Sequence, residues 1–452
     1  MATRMQIEMP QQVAAMMAAL EAGGFEACIV GGCVRDQLLG APIHDWDLAS
    51  SAPPQAARAL LVARGARVID TGLRHGTLTA FLDNLAVEVT TYRTEGPYLD
   101  ARRPSEVSFS TSLVDDLARR DFTMNALAFH PARGLVDPFG GQADIQAKLI
   151  RTVGDVEQRL GEDALRVLRA LRFASVLGFA FAPGLAEALH RAAPRLAQLA
   201  PERLQPELMQ LLKGDGVCEV LLGFPDVLAV LIPEIAPTIG FEQHTPYHCY
   251  DVWEHTARAV CASAPEPLVR LTLLMHDLAK PQTFSLDARG RGHFYGHNIE
   301  GAKLARERLG ALRFDRETIE TVAELIRWHQ ENIRPENLLR WLSRLGEQRL
   351  RLLLLVKLGD MAAHASEHLE ERMARIEATR QAFEELLASE PCFRRVDLAV
   401  DGSDLIEVGF VPGKQLGLAL DALLDAVIEG RLPNERAELL TYAQRHHLGK
   451  TP

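Results

Sequence analysis

The chain has few cysteines and no long apolar segment. Its 452 residues include six cysteines, which are scattered at 28, 33, 218, 249, 261 and 392 without a CxxC pair, so no zinc knuckle is indicated. No apolar run approaches the length of a membrane span, and the N-terminus has no basic segment followed by an apolar core. These absences predict a cytoplasmic protein with no membrane partner, and the length predicts roughly two to four domains.

Positive charge is also in short supply. The chain has 49 Lys and Arg against 60 Asp and Glu, a formal net charge of −11. Phosphate contacts need Lys and Arg, so this balance argues mildly against nucleic acid as a partner. Arginines nevertheless cluster at 102–103, 119–120 and 166–172, and a local basic groove can lie on an acidic protein. Net charge therefore leaves nucleic acid open as a partner.

The most informative segment is VGGCVRDQLLGAPIHDWD at residues 30–47. Asp45 and Asp47 stand two positions apart, so on a β-strand they project from the same side. Paired carboxylates suit Mg²⁺, which nucleotide enzymes hold together with substrate phosphates. A Gly-Gly turn followed by a solvated acidic loop is the alternative interpretation of this segment on its own.

Other residues of the first 90 positions are candidates for binding phosphate or metal together with this acidic pair. Gly31 and Gly32 let backbone N–H groups approach a phosphate, and a helix can begin at Val34. Arg35 adds a positive fork for the same phosphates. On the strand VEVTTY, Glu88 is either a third carboxylate beside the pair or a surface glutamate on an edge strand.

Asp163 and Arg166 are three residues apart on a strongly helical stretch, which predicts that they share one face. Cytosine and adenine each present an exocyclic amine beside a ring-nitrogen acceptor, whereas uracil and guanine present a carbonyl and an N–H. A carboxylate beside a guanidinium therefore favours C and A, because the other bases leave polar groups unpaired. The alternative is an ordinary surface salt bridge.

These segments resemble the signature of the polymerase-β-type nucleotidyltransferases, in particular tRNA nucleotidyltransferases (CCA-adding enzymes) and bacterial poly(A) polymerases. RRDFTMNALA at 119–128, DPFGG at 137–141 and EDALRVLRALRF at 162–173 are similar to the family's next blocks, in its order. The resemblance implies addition of CCA to the tRNA 3′ end from CTP and ATP. It makes Asp45 and Asp47 the catalytic residues and the ligands of Mg²⁺.

The same resemblance implies a set of nucleotide-binding residues that match the family's motifs. They are Gly32, Arg35, Arg119, Arg120, Asp163, Arg166, Arg169 and Arg172. Arg120 is a better triphosphate ligand than Arg119, because it directly precedes Asp121 as in the family pattern. Steps of three residues drift about 60° around a helix, so we expect Arg172 to lie roughly opposite Asp163 and to be the weakest member.

A polar segment at 94–112 is predicted to be a mobile loop, because it has two prolines and few apolar residues. Its DxRRP run, residues 100–104, is similar to the full-length version of a family loop. That loop helps the active site change nucleotide. The match argues against an enzyme that adds only C.

A second set of residues resembles the HD-domain phosphohydrolases. Four residues match the H…HD…D order: His255, His276, Asp277 and Asp360. Two further histidines, His297 and His329, stand where that superfamily places extra ones. Imidazoles with carboxylates suit Ni²⁺, Mn²⁺, Co²⁺ or Zn²⁺ better than Mg²⁺ alone. A bound metal can turn water into a nucleophile, so hydrolysis is implied; a site kept only for structure is the alternative.

The pattern of apolar residues predicts an α+β fold. A helix at 11–22 and strands at 26–30, 67–70, 77–82 and 85–92 predict a small mixed sheet, and helical periodicity dominates from 142 onward. The predicted domains are a nucleotidyltransferase head at 1–141, a helical neck and body with the nucleotide-recognition helix at 142–244, an HD domain at 245–365 and a helical, tRNA-binding tail at 366–452.

Other functions stay open at this point. Within the family, the alternatives are an enzyme that adds only the terminal A and a poly(A) polymerase. From other classes, the alternatives are an HD phosphohydrolase with an RNA-binding head and an RNA chaperone without catalysis. The intact Asp45, Asp47, Asp163 and Arg166 argue against a head that only binds RNA. No motif indicates an oligomeric state or the nucleotide at which addition stops.

Overall fold

The computed structural model describes residues 7–72, 76–95, 98–100, 103–104, 107–245, 249–364 and 368–446. Arg102 of the DxRRP run lies outside the described residues. Contacts divide the chain into two compact units, 1–236 and 237–452, called here the first and the second unit. No helix within the described ranges is long and apolar enough to cross a membrane.

The first unit contains a mixed β-sheet. The strands of this unit are β1 (Ala27–Val30), β2 (Trp46–Ser50), β3 (Arg67–Gly72), β4 (Thr77–Leu82), β5 (Leu85–Thr91), β6 (Arg93–Glu95), β7 (Tyr98–Asp100), β8 (Arg103–Pro104), β9 (Val107–Phe109), β10 (Ala128–His130), β11 (Gly134–Val136), β12 (Leu149–Ile150) and β13 (Ala180–Phe181). Seven of them form one sheet in the order β11-β10-β1-β2-β5-β4-β3. Strands β2 and β5 are parallel, and the other neighbours are antiparallel. The predicted head strands and the α+β class are confirmed.

Side chains alternate between the two faces of the sheet along β5. Val87, Val89 and Thr91 are buried on one face, whereas Ala86 and Glu88 are exposed on the other. Strand β5 has β2 on one side and β4 on the other, so it is not an edge strand. Its polar face is therefore available to a site built on the neighbouring strand β2.

Short strands also occupy the segment that was predicted to be a mobile loop. Strand β6 pairs with β9, with Arg93 opposite Phe109, and β7 pairs with β8. The described residues of this segment therefore include paired strands where composition indicated only a loop, and the predicted mobility stays a prediction. Strands β12 and β13 likewise form a small parallel pair beyond 142, where no strand was expected.

The helices of the first unit surround the sheet and continue beyond it. They are α1 (Gln11–Ala22), α2 (Gly32–Leu39), α3 (Pro54–Ala63), α4 (Leu113–Ala118), α5 (Gly141–Gln146), α6 (Val156–Glu162), α7 (Leu165–Leu177), α8 (Leu185–Ala192), α9 (Pro201–Lys213), α10 (Val217–Gly223) and α11 (Pro225–Leu231). The predicted helix at 11–22 is confirmed. Asp155 caps α6 by accepting a hydrogen bond from the Gln158 N–H at 2.8 Å. Helix α7 packs on α9.

The second unit is mostly helical. Its elements are α12 (Val252–Ala262), α13 (Pro267–Met275), α14 (Lys280–Thr283), β14 (Ser285–Leu286), β15 (Gly292–His293), α15 (His297–Ala311), α16 (Arg316–Trp328), α17 (Leu338–Ala362), α18 (Leu369–Ala388), α19 (Gly402–Glu407), α20 (Lys414–Ile428) and α21 (Arg436–Arg445). Asp251 and Asp315 cap α12 and α16. Helix α17 packs against α12, α13 and α16, which brings the ends of several helices to one place.

Candidate functional sites

A cavity of about 600 Å³ in the first unit, called here the head cavity, collects the predicted nucleotide-site residues. It is lined by all of them and by Glu88: Gly32, Arg35, Asp45, Asp47, Glu88, Arg119, Arg120, Asp163, Arg166, Arg169 and Arg172. These residues are spread over about 140 positions of the chain, and the fold brings them to one cavity. Their individual roles stay predictions.

Three carboxylates meet at the floor of the head cavity. Asp47 in β2 is the register partner of Glu88 in the parallel strand β5, so their side chains leave the sheet on the same face. Asp45 comes just before β2 and also lines the cavity. The edge-strand alternative for Glu88 is wrong, and its position beside Asp47 matches the third-carboxylate interpretation.

The carboxylates influence one another's protonation. Burial, with a smaller contribution from the negative charges of Glu88 and Asp45, raises the pKa of Asp47 to about 6, and Arg120 opposes the shift. Burial also raises the pKa of Glu88, with Asp45 contributing. Like charges close together favour the neutral forms, and a bound cation would reverse that preference.

Helix α2 begins at Gly32, two residues before the predicted start, because Gly31 changes the chain direction. Gly31 has φ of +76°, and a Cβ on it would lie 2.7 Å from Nη1 of Arg120. Only glycine fits this close approach without displacing the guanidinium. Arg35 in the first turn donates to Oδ1 of Asn125 at 2.7 Å. The start of α2 and two arginines therefore face the same space.

Arg119 and Arg120 share one buried partner that was not singled out in the sequence. Asp116 is fully buried, and its carboxylate lies 2.7 Å from Nη2 of Arg119 and 3.3 Å from Nη2 of Arg120. The spacings of three and four residues on α4 and its C-cap are a signal that helical pairing rules could have found. Asp116 thus fixes the direction of both guanidinium groups.

Asp163 does not lie on the helix that carries Arg166. Its backbone is extended (φ −139°, ψ 109°), and it joins α6 to α7. One carboxylate oxygen accepts from the Leu165 N–H at 3.0 Å, and the other lies 2.7 Å from Nη2 of Arg203 in α9. The prediction of one shared helical face is therefore wrong in its geometry, although both side chains line the head cavity.

Arg166 is buried and held by several acceptors. Its guanidinium donates to the carbonyl oxygens of Arg159 at 2.7 Å and Arg119 at 3.0 Å, and to Glu162 at 2.6 Å. These contacts join α6, α7 and the end of α4. Arg166 consequently presents a fixed edge, rather than a free side chain, to the cavity.

Arg169 and Arg172 continue the row on α7 with buried partners. Arg169 lies 2.6 Å from Asp121, Arg172 lies 3.1 Å from Glu207 of α9, and Arg169 is also 3.5 Å from Glu207. Arg172 lines the cavity together with Asp163, so the expectation that it lies on the opposite side is wrong. Asp163 is outside the helix, and the counting of turns did not apply.

Two further residues of this network, Asp121 and Glu207, were not predicted as site residues from the sequence. Burial opposes ionisation of Asp121, but Arg169, Asn125 and a backbone N–H hold its pKa well below its usual range. Glu207 gave no local signal, because its partners are more than 30 residues away along the chain. The ring of Phe173 lies under Arg172, with 4.2 Å from Cζ to the centroid.

The second unit brings all six HD-type residues together. His255, His276, Asp277, His297 and His329 are buried, and Asp360 is partly buried. Nε2 of His255 lies 3.1 Å from Asp360, and Nε2 of His276 lies 3.1 Å from Asp277. The other oxygen of Asp277 lies 3.4 Å from Nε2 of His297. Several of these side chains border a cavity of about 360 Å³, called here the histidine cavity.

Three of the histidines are oriented by the same local device. Nδ1 lies within 2.6–2.7 Å of the carbonyl oxygen three residues earlier in His276, His297 and His329. His276 and His329 are the C-caps of α13 and α16, whereas His297 is the first residue of α15 and its acceptor Phe294 precedes that helix. In the neutral imidazole, a proton on Nδ1 leaves Nε2 unprotonated and directed at the cluster, which is the form that binds a metal.

The cluster has the properties of a metal site. Groups of three ligand atoms lie within 4.8 Å of one another: His255, His276 and Asp277; His255, Asp360 and His364; Asp277, His297 and His329. Among the described residues, Nε2 of His276 and of His297 is buried without a hydrogen-bond partner. His364 was missed, although it follows Asp360 by four residues and so shares its helical side.

The protonation states within the cluster are strongly divided. Burial opposes the charged form of His276, but Asp277 and Asp360 raise its pKa to about 10. Burial lowers the pKa of His329 to about 3, and the nearby His276 adds to this effect. The pKa values of Asp277 and Asp360 lie well below their usual range because imidazoles surround them, despite burial.

A mixed sheet with three carboxylates at one cavity, followed by helices that add a row of arginines, defines a nucleotidyltransferase. Residues 27–151 match the family described as Poly A polymerase head domain. Residues 178–237 match the probable RNA and SrmB-binding site of polymerase A, and residues 297–443 match a putative tRNA nucleotidyltransferase domain 2.

Relatives that match over nearly the whole chain identify the family more narrowly than these domain matches do. The CCA-adding enzyme of Levilactobacillus brevis is 34% identical over 426 residues, 93% of this chain and 94% of that protein. That of Geobacillus stearothermophilus is 34% identical over 446 residues, 96% of each. The crystal structure of the Bacillus stearothermophilus CCA-adding enzyme in complex with CTP has a TM-score of 0.72 and 30% identity, and the match covers 97% of both chains. The chain belongs to the family of CCA-adding enzymes.

Proposed function

We propose that the head cavity is where this enzyme adds C, C and A to the 3′ end of tRNA from CTP and ATP. The observation that carries the proposal is the convergence of Asp45, Asp47 and Glu88 beside the start of helix α2. The related CCA-adding enzyme of known structure was crystallised with CTP. An enzyme that adds only A and a poly(A) polymerase remain the alternatives within the family.

The donor set of the head cavity fits Mg²⁺, with Asp45 and Asp47 as ligands and Glu88 beside them. The raised pKa of Asp47 supports this, because a cation would offset both of its causes, which are burial and the negative charges of Glu88 and Asp45. Bound there, Mg²⁺ would stabilise the charge that develops on the transferring phosphoryl group. The N–H groups at the start of α2, with Arg35 and Arg120, would bind the remaining triphosphate oxygens.

We assign the choice of base to Asp163 and Arg166. The carboxylate of Asp163 would accept a hydrogen bond from the exocyclic amine of C or A, while Arg166 would donate to the ring nitrogen. Arg203 and the carbonyl oxygens around Arg166 hold both groups in place before a nucleotide enters. Because U and G present the opposite pattern, each would leave two polar groups unpaired.

The test offers the enzyme three tRNAs, which lack CCA, CA or A, with each labelled nucleoside triphosphate singly and Mg²⁺. We expect C on the first two tRNAs, A on the third, and no U or G on any. Product length is read on a sequencing gel. Addition of A alone, whichever tRNA is offered, would establish an A-adding enzyme, and long A tracts would establish a poly(A) polymerase.

A second function, metal-dependent phosphoester hydrolysis, is favoured by the buried His–Asp cluster. Its imidazoles and carboxylates fit Ni²⁺, Mn²⁺, Co²⁺ or Zn²⁺, and its orphaned Nε2 atoms are available as ligands. A metal bound there would lower the pKa of a coordinated water and supply a nucleophile. The test measures hydrolysis of a 2′,3′-cyclic nucleotide with each metal. Metal bound without hydrolysis would make the centre structural.

We also propose the finer division of the chain within the two units. Residues 1–141 would form the nucleotidyltransferase head, 142–244 the neck and body, 245–365 the HD domain, and 366–452 a tail that contacts tRNA. The position of α7, which carries Arg166, Arg169 and Arg172, supports a recognition function for the second segment. Limited proteolysis followed by mass spectrometry would locate the boundaries.

A further inference from the structure

An exposed tyrosine stands at the edge of the histidine cavity. Tyr295 follows β15 and lines that cavity, yet 77% of the residue is exposed. A single exposed ring is ordinary on a protein surface and needs no explanation by itself. Two properties set this ring apart, because it borders the cavity beside the His–Asp cluster and is stacked on a second ring.

The second ring is the imidazole of His293, the last residue of β15. Its centroid lies 5.2 Å from that of Tyr295, and the two planes differ by 6°, which is an offset stack. His293 also lines the histidine cavity. The imidazole therefore covers one face of the tyrosine ring, and the large exposed fraction of Tyr295 leaves the other face to a ligand.

A hairpin holds the imidazole in place. Strands β14 and β15 pair with Ser285 opposite His293. One carboxylate oxygen of Asp287 accepts from the N–H groups of Arg289 and Arg291 at 2.8 and 3.0 Å, which fixes the turn. The other oxygen lies 3.1 Å from Nε2 of His293. The stack is thus oriented before any ligand arrives.

A nucleobase suits the open face of this ring. Bases stack on aromatic side chains whatever hydrogen-bonding edge they carry. Tyr295 stands two residues before His297, a member of the cluster, and two residues span at most about 7 Å. One nucleotide can bridge that distance, with its base on Tyr295 and its phosphate at the cluster. The cavity volume of about 360 Å³ is within the range of roughly 300–1,000 Å³ for small-molecule sites.

We propose that Tyr295, supported by His293, is the base-stacking residue of the histidine cavity. The substrate class is then a nucleotide phosphoester, and not the phosphoester of any alcohol. Stacking reads no base edge, so this cavity accepts all four bases, unlike the head cavity with Asp163 and Arg166. The assignment rests on the hydrolytic function proposed above.

The experiment compares guanosine 2′,3′-cyclic phosphate with a base-free ester, 1-O-methylribose 2′,3′-cyclic phosphate. Guanosine is chosen because we expect the head cavity to reject G. Calorimetry on the full-length protein without metal gives the dissociation constants, and KM and kcat are measured after Mn²⁺ is added. The variants are Tyr295→Ala, Tyr295→Phe, His293→Ala and the control Leu286→Ala, whose side chain is exposed on the same hairpin. Circular dichroism reports that each variant is folded.

We expect Tyr295→Ala to raise the dissociation constant and KM of the guanosine ester about tenfold, because one stacking contact is lost. Its kcat should change little, since stacking binds substrate and transition state alike. Tyr295→Phe keeps the ring and should match wild type, as should Leu286→Ala, and His293→Ala should lie between. The base-free ester should give the same values with every variant.

Equal losses for the two esters in Tyr295→Ala, or no loss for the guanosine ester, would overturn the proposal. So would a wild type that binds the two esters equally well. Hydrolysis of the base-free ester in any of these cases would leave the hydrolytic function standing. Binding of the guanosine ester that depends on Tyr295, without hydrolysis under any metal, would support the stacking assignment and refute hydrolysis instead.

Discussion

The two cavities place carboxylates in opposite surroundings. In the head cavity Asp47 faces Glu88 and Asp45, and its pKa is raised to about 6. In the histidine cavity Asp277 and Asp360 face imidazoles and Lys280, and their pKa values are lowered. Without metal, the carboxylates of the head cavity repel one another. In the histidine cavity, by contrast, protonated side chains offset the negative charge of the carboxylates. A metal would relieve repulsion at the first site and displace protons at the second.

Among the proposed variants, Asp47→Asn should produce the largest difference between the head cavity and the histidine cavity. We expect nucleotide incorporation to fall by about 10³-fold or more, because charge stabilisation available only in the transition state is lost. The phosphoester hydrolysis proposed for the histidine cavity should be unchanged. The measurement is the initial rate of CTP incorporation into tRNA lacking CCA. Asp70→Asn, an exposed residue paired with Arg58, is the control. Incorporation above a few per cent of wild type, with Mg²⁺ dependence intact, would refute the assignment.

The reciprocal variant is Asp277→Asn. We expect phosphoester hydrolysis and Mn²⁺ binding to fall by about 10²-fold, because one carboxylate serves both groups of imidazoles. CTP incorporation should persist, since the head cavity is untouched. The two reactions are assayed on one preparation, with Glu254→Gln on α12 as the control. Loss of both activities in a protein that is still folded by circular dichroism would show that the two sites are coupled.

Asp163→Ala examines base choice within the head cavity. We expect misincorporation of UTP or GTP relative to CTP to rise by about tenfold or more, while triphosphate binding changes less, because other residues hold the phosphates. The ratio is measured on tRNA lacking CCA, with the exposed Glu157→Ala as the control. A fall in total activity at the wild-type ratio would mean that Asp163 does not contact the base.

The smallest effect is proton release on metal binding. At pH 7.5 His276, with a pKa of about 10, is protonated without metal, so binding of Mn²⁺ should release about one proton. Asp47, with a pKa of about 6, is already ionised, so Mg²⁺ should release almost none there. Calorimetry in buffers of different ionisation enthalpy counts the protons. Equal release at the two sites would remove the contrast between them.

Short motifs predicted most of the residues that lie together in the head cavity and in the His–Asp cluster. Asp45 and Asp47 stand two positions apart at the start of β2, with Asp45 just before the strand, and His276 and Asp277 are adjacent in the chain. The sequence did not predict Glu207 as a partner of Arg169 and Arg172, since the packing of α9 on α7 is a tertiary contact without local spacing.

The wrong predictions arose because local patterns do not show where a helix is interrupted or where distant strands pair. Counting turns from Asp163 assumed a continuous helix, but its extended backbone ends α6 and α7 starts anew at Leu165. The segment at 94–112 had the composition of a loop, yet among its described residues β6 and β9 are paired by cross-strand hydrogen bonds. His364 had a signal, four residues after Asp360, that was not used.

The central claim is that the head cavity alone adds CCA. The most direct measurement incubates tRNA lacking CCA with all four nucleoside triphosphates and Mg²⁺ and sequences the 3′ ends made by wild type, Asp47→Asn and Asp277→Asn. We predict that wild type and Asp277→Asn add C, C and A and then stop, and that Asp47→Asn adds nothing. CCA ends made by Asp47→Asn, or ends with U or G made by wild type, would contradict it.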